Sequence, residues 1–133
     1  MNRAAEDYIK TIYVLKGRQK IVRSIDIANE LGFSRASVSR EVSNLRTAGM
    51  IEVMNDGAIE FTDKGEAVAK EIHERHSTLS EFLAAVAGVD EKTAREDACG
   101  MEHFISDSTY NGIKQFIEEY PERAGKKDGR EFS

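Results

Sequence analysis

The 133-residue sequence has no tryptophan, one proline and one cysteine, and it contains no long hydrophobic run. The single cysteine, Cys99, cannot form an internal disulfide, which indicates a reducing, cytoplasmic location. No apolar segment reaches the length of a membrane span, and the N-terminus lacks the apolar stretch of a signal peptide. With 40% hydrophobic and 32% charged residues, the composition predicts a soluble, mostly helical protein of one or two small domains.

The net charge of -5 is distributed unevenly along the chain. The first 56 residues carry 9 Lys/Arg against 7 Asp/Glu, and the remaining residues carry 10 against 17. A nucleic-acid-binding surface is therefore expected in the first part. The acidic excess of the second part suits either a cation site or a solvated helical surface.

Helical spacing of apolar residues predicts two helices near the N-terminus. The first covers residues 3–16 and is ended by Gly17. The second is capped by Ser24, is ended by Gly32, and is expected to bury Ile25, Ala28 and Leu31.

A third helix is predicted from the capping residue Ser34 to Gly49, with an apolar stripe of Val38, Val42 and Leu45. Two helices joined by a tight glycine-containing turn form a helix-turn-helix. The alternating segments 51–53 and 59–61, with turn residues 55–57 between them, predict a β-hairpin directly after it. Such a hairpin is a wing.

Three further helices are predicted after the wing. The first, roughly 62–87, begins at Thr62; the next runs from the cap Asp90 to about Ile105; the last begins at Ser106 and ends at Pro121. The predicted fold is mostly α with a small β-hairpin. It comprises a winged helix-turn-helix domain (1–70), a helical metal-binding and dimerisation domain (71–121) and a disordered tail (122–133).

The outward face of the third helix has the chemistry of a DNA-recognition surface. An arginine at position 40 can bond guanine O6 and N7, and short polar neighbours allow close approach to the major groove. Arg35 and Arg46 lie nearer the sides and could reach phosphates. The alternative is an ordinary solvated helix face. The acidic wing residues Glu52, Asp56 and Glu60 argue against phosphate contacts by the wing. The predicted DNA-binding residues are Arg35, Ala36, Ser37, Ser39, Arg40, Ser43 and Arg46.

The segment Cys99–His103 indicates a metal site. Cys99, Glu102 and His103 stand at i, i+3 and i+4, so on one helix they share a face. Thiolate, carboxylate and imidazole suit first-row divalent ions, and a fourth ligand must come from another element. His73 or His76 on the preceding helix could join them. Each residue also has an ordinary role, as a small core cysteine, a hydrogen-bonding histidine or a solvated glutamate.

The order of these motifs resembles the DtxR/MntR family of iron- and manganese-dependent repressors. The similarity extends from about residue 3 to residue 120. The motifs that carry it are Glu6-Asp7-Tyr8-Ile9, Ile12-Tyr13, the Ser34–Gly49 helix, Thr62-Asp63-Lys64-Gly65, Arg75-His76, Gly88-Val89-Asp90 and Cys99-Gly100-Met101-Glu102-His103.

The resemblance implies a metal site made of Asp7, Cys99, Glu102 and His103, between the first helix and the dimerisation helices. Asp7 matches the manganese-type members and Cys99 the iron-type members, so the site is a hybrid. The resemblance implies Fe(II) or Mn(II), and the softer thiolate favours iron.

Two departures from the family pattern bear on an accessory site. Lys10 stands where manganese-type members have a second metal-binding glutamate, and a charged ammonium cannot ligate a metal. His76 matches an accessory-site ligand, but Ser80 and Arg95 replace its iron-type partners. We therefore expect one strong metal per subunit, with His76 as a possible additional ligand. The resemblance is to short, two-domain members without the SH3-like domain.

The implied function is repression by a homodimer that binds operator DNA when loaded with metal. The metal would favour a separation of about 34–36 Å, one helical turn of DNA, or a multiple of it, between the DNA-recognition helices of the two subunits. One alternative is a winged-helix regulator that responds to a non-metal effector. An enzyme with Cys99 as nucleophile and His103 as base is disfavoured because no oxyanion-hole motif or phosphate-binding loop accompanies them. A structural zinc site is disfavoured because such sites usually use several cysteines.

Overall fold

The computed structural model describes residues 2–119, which form two compact units divided between Ile72 and His73. In chain order the elements are α1 (Arg3–Arg18), α2 (Ser24–Leu31), α3 (Arg35–Thr47), β1 (Ile51–Val53), β2 (Ile59–Phe61), α4 (Asp63–Phe82), a π-helical segment (Leu83–Ala87), α5 (Glu91–Met101) and α6 (Asp107–Glu119). The predicted class, mostly helical with one small hairpin, is confirmed. The division between the units lies inside α4, two residues beyond the boundary that the sequence predicted.

The core of the first unit is formed by α1, α2, α3 and the hairpin. Its largest fully buried side chains come from all four: Ile9, Ile12, Ile27, Leu45, Ile51 and Ile59. Burying each branched aliphatic side chain contributes about 1.5–3 kcal/mol. This shared core fixes α3 and the hairpin in one body, as a winged helix requires.

The boundaries of the first two helices differ from the prediction. α1 continues through Gly17 to Arg18, where the backbone N–H of Gln19 still donates to the Leu15 carbonyl at 2.9 Å. The N-cap of α2 is Arg23 instead of Ser24, because the Asp26 carboxylate accepts a bond from the Arg23 N–H at 2.8 Å. The predicted inward Ile25 is 40% exposed, and the fully buried isoleucine of α2 is Ile27.

The turn between α2 and α3 and the start of α3 agree with the prediction. Gly32 has a φ of 70°, which favours glycine, and its N–H donates to the Ala28 carbonyl at 2.8 Å. Ser34 caps α3 by accepting from the Ser37 N–H at 3.1 Å. Val38, Val42 and Leu45 are buried as predicted, so the opposite face of α3 points away from the core.

The hairpin pairs Ile51 with Phe61 and Val53 with Ile59 in antiparallel register. Its turn is closed by Gly57, with a φ of 87°, and by the Asp56 carboxylate, which accepts from the Ala58 N–H at 3.0 Å. The predicted wing is therefore present.

The hairpin is connected tightly to α4. The Thr62 hydroxyl donates to the Gly49 carbonyl at 2.6 Å and accepts from the Gly65 N–H at 3.0 Å, which caps α4. The Thr62 N–H also donates to the Met50 carbonyl at 3.0 Å. A Cβ on Gly65 would overlap the Met50 carbonyl oxygen, so only glycine permits this close approach.

The second unit is held by a smaller core between α4, α5 and α6, centred on Leu79, Ala98 and Tyr110. Phe82 and Phe116 add an edge-to-face ring contact between α4 and α6, with 6.2 Å between centroids. The predicted caps Asp90 and Ser106 both accept a backbone N–H, from Thr93 at 2.7 Å and from Thr109 at 3.1 Å.

Two predictions for the second unit are wrong, and one lies outside the described residues. Val86, one of the apolar residues whose helical spacing predicts the 62–87 helix and its buried face, is 50% exposed. α5 ends at Met101 instead of near Ile105, and residues 102–105 form a turn. The predicted helix end at Pro121 and the predicted disordered tail fall beyond residue 119. Within residues 2–119, no helix combines the length and hydropathy needed to cross a bilayer.

Candidate metal centre and nucleic-acid interface

The second unit brings three of the predicted metal-site residues together. The Nδ1 atom of His76 lies 3.1 Å from Oε1 of Glu102, and the Nε2 atom of His103 lies 3.6 Å from Oε2 of the same carboxylate. The side chains of Glu102 and His103 are 4% and 5% exposed, and that of His76 is 20% exposed. A carboxylate is thus enclosed by two imidazoles from separate parts of the chain.

Burial of Glu102 is costly unless its charge is compensated. Within residues 2–119 it is the only charged residue that is buried, with 7% of its surface exposed. An N–H at Nδ1 of His76 can donate to the carboxylate and leave Nε2 of that ring as an acceptor or ligand. Nitrogen and oxygen donors of this kind suit first-row divalent cations, so the residues fit the metal that the sequence predicted.

The end of α5 determines how these side chains are presented. The Glu102 N–H still donates to the Ala98 carbonyl at 2.9 Å, so Glu102 closes the last helical turn as the C-cap. The N–H groups of Phe104 and Ile105 both reach the Met101 carbonyl, at 3.0 and 3.2 Å. Glu102 therefore belongs to the helix end, and His103 belongs to a tight turn that follows it.

The other two predicted ligands occupy different elements. Cys99 is half-buried on α5, one turn before Glu102. Asp7 is half-buried on α1 and belongs to the first unit.

Arg95 and Ser80, which replace the iron-type partners of His76 at an accessory metal site, lie in different environments. Arg95 is exposed and pairs with Glu91 at 3.5 Å within α5. The Ser80 hydroxyl is buried, with no hydrogen-bond partner among the described residues. His76 instead contacts Glu102, a pairing across 26 positions of sequence that the spacing of motifs could not reveal.

The predicted DNA-binding face of α3 lies on the surface of the first unit. Arg35, Ala36, Ser39, Arg40, Ser43 and Arg46 are all exposed. Ser37 is half-buried, and its hydroxyl accepts from the hydroxyl of the cap residue Ser34 at 3.0 Å. Arg40 and several short side chains on this face, with Arg35 and Arg46 nearer its sides, match the requirements of a major-groove helix.

Next to this face, α1 contacts the turn between α2 and α3 through Tyr8. The Tyr8 side chain is buried, and its ring lies 6.2 Å from that of Phe33. Burial raises the pKa of the Tyr8 phenol, and the Glu41 carboxylate on α3 raises it further. Tyr8 therefore stays neutral at ordinary pH and serves as a packing residue between α1 and α3.

The acidic wing is tied to the helices by basic residues. The Lys16 ammonium lies 2.9 Å from Glu60 and donates to the Ile59 carbonyl at 3.2 Å. The Arg23 Nε donates to the Asp56 carbonyl at 3.0 Å, and its guanidinium lies 3.6 Å from the Asp56 carboxylate. Glu52 faces Glu60 directly across the hairpin, and Lys16 offsets this like-charge pair.

Comparison with known families covers almost the whole chain. Residues 1–59 match the description "iron dependent repressor, N-terminal DNA binding domain", and residues 62–128 match "iron dependent repressor, metal binding and dimerisation domain". This chain belongs to the iron-dependent repressor family. The predicted resemblance to DtxR/MntR proteins is thereby confirmed.

Individual proteins are similar to this chain over most of its length. An uncharacterised HTH-type transcriptional regulator of Methanocaldococcus jannaschii is 32% identical over 124 residues, which is 92% of this chain and 99% of that protein. The transcriptional regulator MntR of Escherichia coli is 35% identical over 115 residues, or 86% of this chain and 74% of MntR. The relatives are transcriptional regulators, so the prediction that the chain is not an enzyme is confirmed.

A solved structure of a manganese-dependent transcriptional repressor in complex with manganese superposes with a TM-score of 0.79 and 27% identity. The alignment covers 86% of this chain and 52% of that chain, so this chain spans about half the length of the solved repressor. As a member of the iron-dependent repressor family, the chain is a metal-dependent transcriptional regulator.

Proposed function

We propose that this chain represses transcription by binding operator DNA as a homodimer when it is loaded with Fe(II) or Mn(II). The observation that carries the proposal is the buried Glu102 carboxylate between the imidazoles of His76 and His103. This arrangement falls inside the region that matches the metal-binding and dimerisation domain of the family. Metal binding at these residues would make DNA binding, and therefore repression, depend on the concentration of the cation.

The proposed ligands are Glu102 and His103, together with Cys99 and Asp7. Cys99 is supported by its place one turn before Glu102 on α5. Asp7 is proposed on the family resemblance alone. A bound cation would neutralise the Glu102 carboxylate and hold these ligands at fixed positions, and the thiolate of Cys99 favours iron over manganese. We propose one strong site per subunit.

The proposed role of His76 is to orient Glu102. An N–H of His76 that donates to Oε1 leaves the second carboxylate oxygen available to a cation. The exposed face of α3 is proposed to read operator bases through Arg40, and Arg35 and Arg46 to contact phosphates.

An anaerobic Co(II) titration of the metal-free protein, followed by absorption spectroscopy, tests the metal site. One equivalent per subunit is expected, with a thiolate charge-transfer band that Cys99→Ala loses and a large loss of affinity in His103→Ala. Binding without that band would remove Cys99 from the ligand set and favour manganese. No binding would refute the metal proposal and favour a regulator that answers to a non-metal effector.

The DNA part is tested by selecting duplexes from a random library with the Mn(II)-loaded protein and measuring binding by fluorescence anisotropy. Chelation of the metal is expected to weaken binding to the selected sequence strongly and binding to random duplex only slightly. Equal affinity for both duplexes in every metal state would contradict metal-dependent operator recognition.

A further inference from the structure

A single arginine on α4 connects three parts of the second unit. The Arg75 Nη1 donates to the Asp107 carboxylate at 3.1 Å, and Nη2 donates to the Ile105 carbonyl at 3.0 Å. The guanidinium carbon lies 4.7 Å from the centre of the Tyr110 ring. Arg75 therefore contacts the turn after α5, the first turn of α6 and the core of the unit.

The turn that Arg75 contacts contains the proposed metal ligands. α5 ends at Met101, and the Ile105 carbonyl stands two residues after His103. The turn lacks the continuous hydrogen bonding of a helix, so its conformation depends on contacts from other elements. Arg75 supplies one of them from α4, where the next residue, His76, contacts Glu102.

The chemistry of this contact requires a guanidinium. Its two terminal nitrogens donate in different directions while its face lies on an aromatic ring. The side chain is 23% exposed, and its Nε is buried with no hydrogen-bond partner among the described residues. A lysine could keep the charge, but it could not make both bonds in the same plane.

We propose that Arg75 is a positioning residue for the metal centre. By holding the Ile105 carbonyl and the start of α6, it fixes the 102–105 turn relative to His76 and so sets the separation of His76, Glu102 and His103. This inference rests on the proposed function, since it assigns a residue to the same metal site. Changes to residues that support metal ligands typically lower affinity by about 10–100-fold.

The neighbouring ion pair provides a matched control. Glu74, the residue before Arg75, lies 3.4 Å from Lys114 and so joins α4 to α6 as Arg75 does. Glu74 raises the pKa of Lys114, as expected for an ion pair. Among the described residues, neither side chain of this pair makes a hydrogen bond or ion pair with residues 102–105, so its removal perturbs the α4–α6 contact without removing a bond to the turn.

The test compares Arg75→Gln with Lys114→Gln in the full chain. Co(II) affinity is expected to fall at least about tenfold in Arg75→Gln and to stay within about twofold of wild type in Lys114→Gln. Hydrogen exchange of the metal-free proteins supplies a second readout. The amides of residues 102–105 are expected to exchange faster in Arg75→Gln and at the wild-type rate in Lys114→Gln.

Arg75→Lys keeps the protein testable if Arg75→Gln does not fold, and it is expected to give an intermediate loss of Co(II) affinity. Wild-type affinity and an unchanged Co(II) spectrum in Arg75→Gln, or in Arg75→Lys if only that variant folds, would overturn the inference. An equal loss in Lys114→Gln would also overturn it, because Arg75 would then be only a helix–helix contact. If the wild-type protein binds no Co(II), the proposed function fails first and the inference fails with it.

Discussion

The junction between the wing and α4 predicts that Gly65→Ala destabilises the first unit. The new methyl group would overlap the Met50 carbonyl oxygen, so the hairpin or α4 must move. Overpacking of this kind costs about 1–3 kcal/mol. The displaced carbonyl also accepts from the Thr62 N–H at 3.0 Å and the Thr62 hydroxyl at 3.2 Å, and weakening those bonds adds about 1 kcal/mol.

The total expected loss is about 2–4 kcal/mol in the free energy of unfolding. At about 4 °C per kcal/mol for a chain of this length, the midpoint of thermal unfolding should fall by about 8–16 °C. Urea unfolding followed by far-ultraviolet circular dichroism, at one fixed protein concentration, measures the free energy directly.

Gly17→Ala is the matched control for this experiment. Gly17 lies in the last turn of α1, and a Cβ there would meet nothing within 4 Å. Because alanine has the higher helix propensity, Gly17→Ala should be neutral or stabilising by up to about 1 kcal/mol. A loss of less than about 0.5 kcal/mol in Gly65→Ala, or equal losses in both variants, would refute the argument from close approach.

Four further predictions follow from single contacts. Leu79→Ala, at a fully buried position, should lower the free energy of unfolding by about 2–5 kcal/mol in urea titrations; a loss below 1 kcal/mol would contradict the assigned core. Ser34→Ala removes the cap of α3 and should cost about 0.5–2 kcal/mol by the same assay, whereas Ser34→Asp should retain most of the stability. Arg40→Ala should weaken binding to the selected duplex by about 1–3 kcal/mol and binding to random duplex much less, and an equal loss on both would make Arg40 a phosphate contact. The Thr93 N–H lowers the pKa of Asp90, so the ionised carboxylate stabilises the fold at neutral pH and this contribution is lost as the pH falls below about 4. Asp90→Asn should therefore lose less stability than wild type between about pH 5 and pH 3, and identical pH profiles would count against the cap.

Local sequence signals predicted most of the first unit. Gly32 and Ser34 bracket the helix-turn-helix turn, and both take the predicted conformations because left-handed glycine and side-chain capping depend on only a few neighbouring residues. The same applies to Gly57 in the wing. The misplaced start of α2 has a local cause as well, since Asp26 caps the N–H of Arg23 and makes Ser24 the first helical residue.

Long-range contacts could not be predicted from the sequence in this way. No glycine or proline occurs among residues 102–105, so neither of these helix-ending residues marked the turn after α5. His76 and Glu102 are 26 residues apart, and Arg75 and Ile105 are 30 apart. Such pairs depend on how α4 packs on α5 and α6, and local patterns in a single sequence do not reveal that packing. The family resemblance pointed to the proposed ligand residues, and the structure added the contacts around them.

The attachment of the wing has an evolutionary consequence. The hairpin is held by ion pairs of Lys16 on α1 with Glu60 and of Arg23 at the start of α2 with Asp56. These contacts do not involve the exposed side chains of α3. Under the proposed DNA-reading role of that face, mutations in it can change which operator is recognised while these contacts of the wing remain intact. A duplicated copy of this gene could acquire new DNA targets through a few substitutions in α3 and keep the same response to its signal.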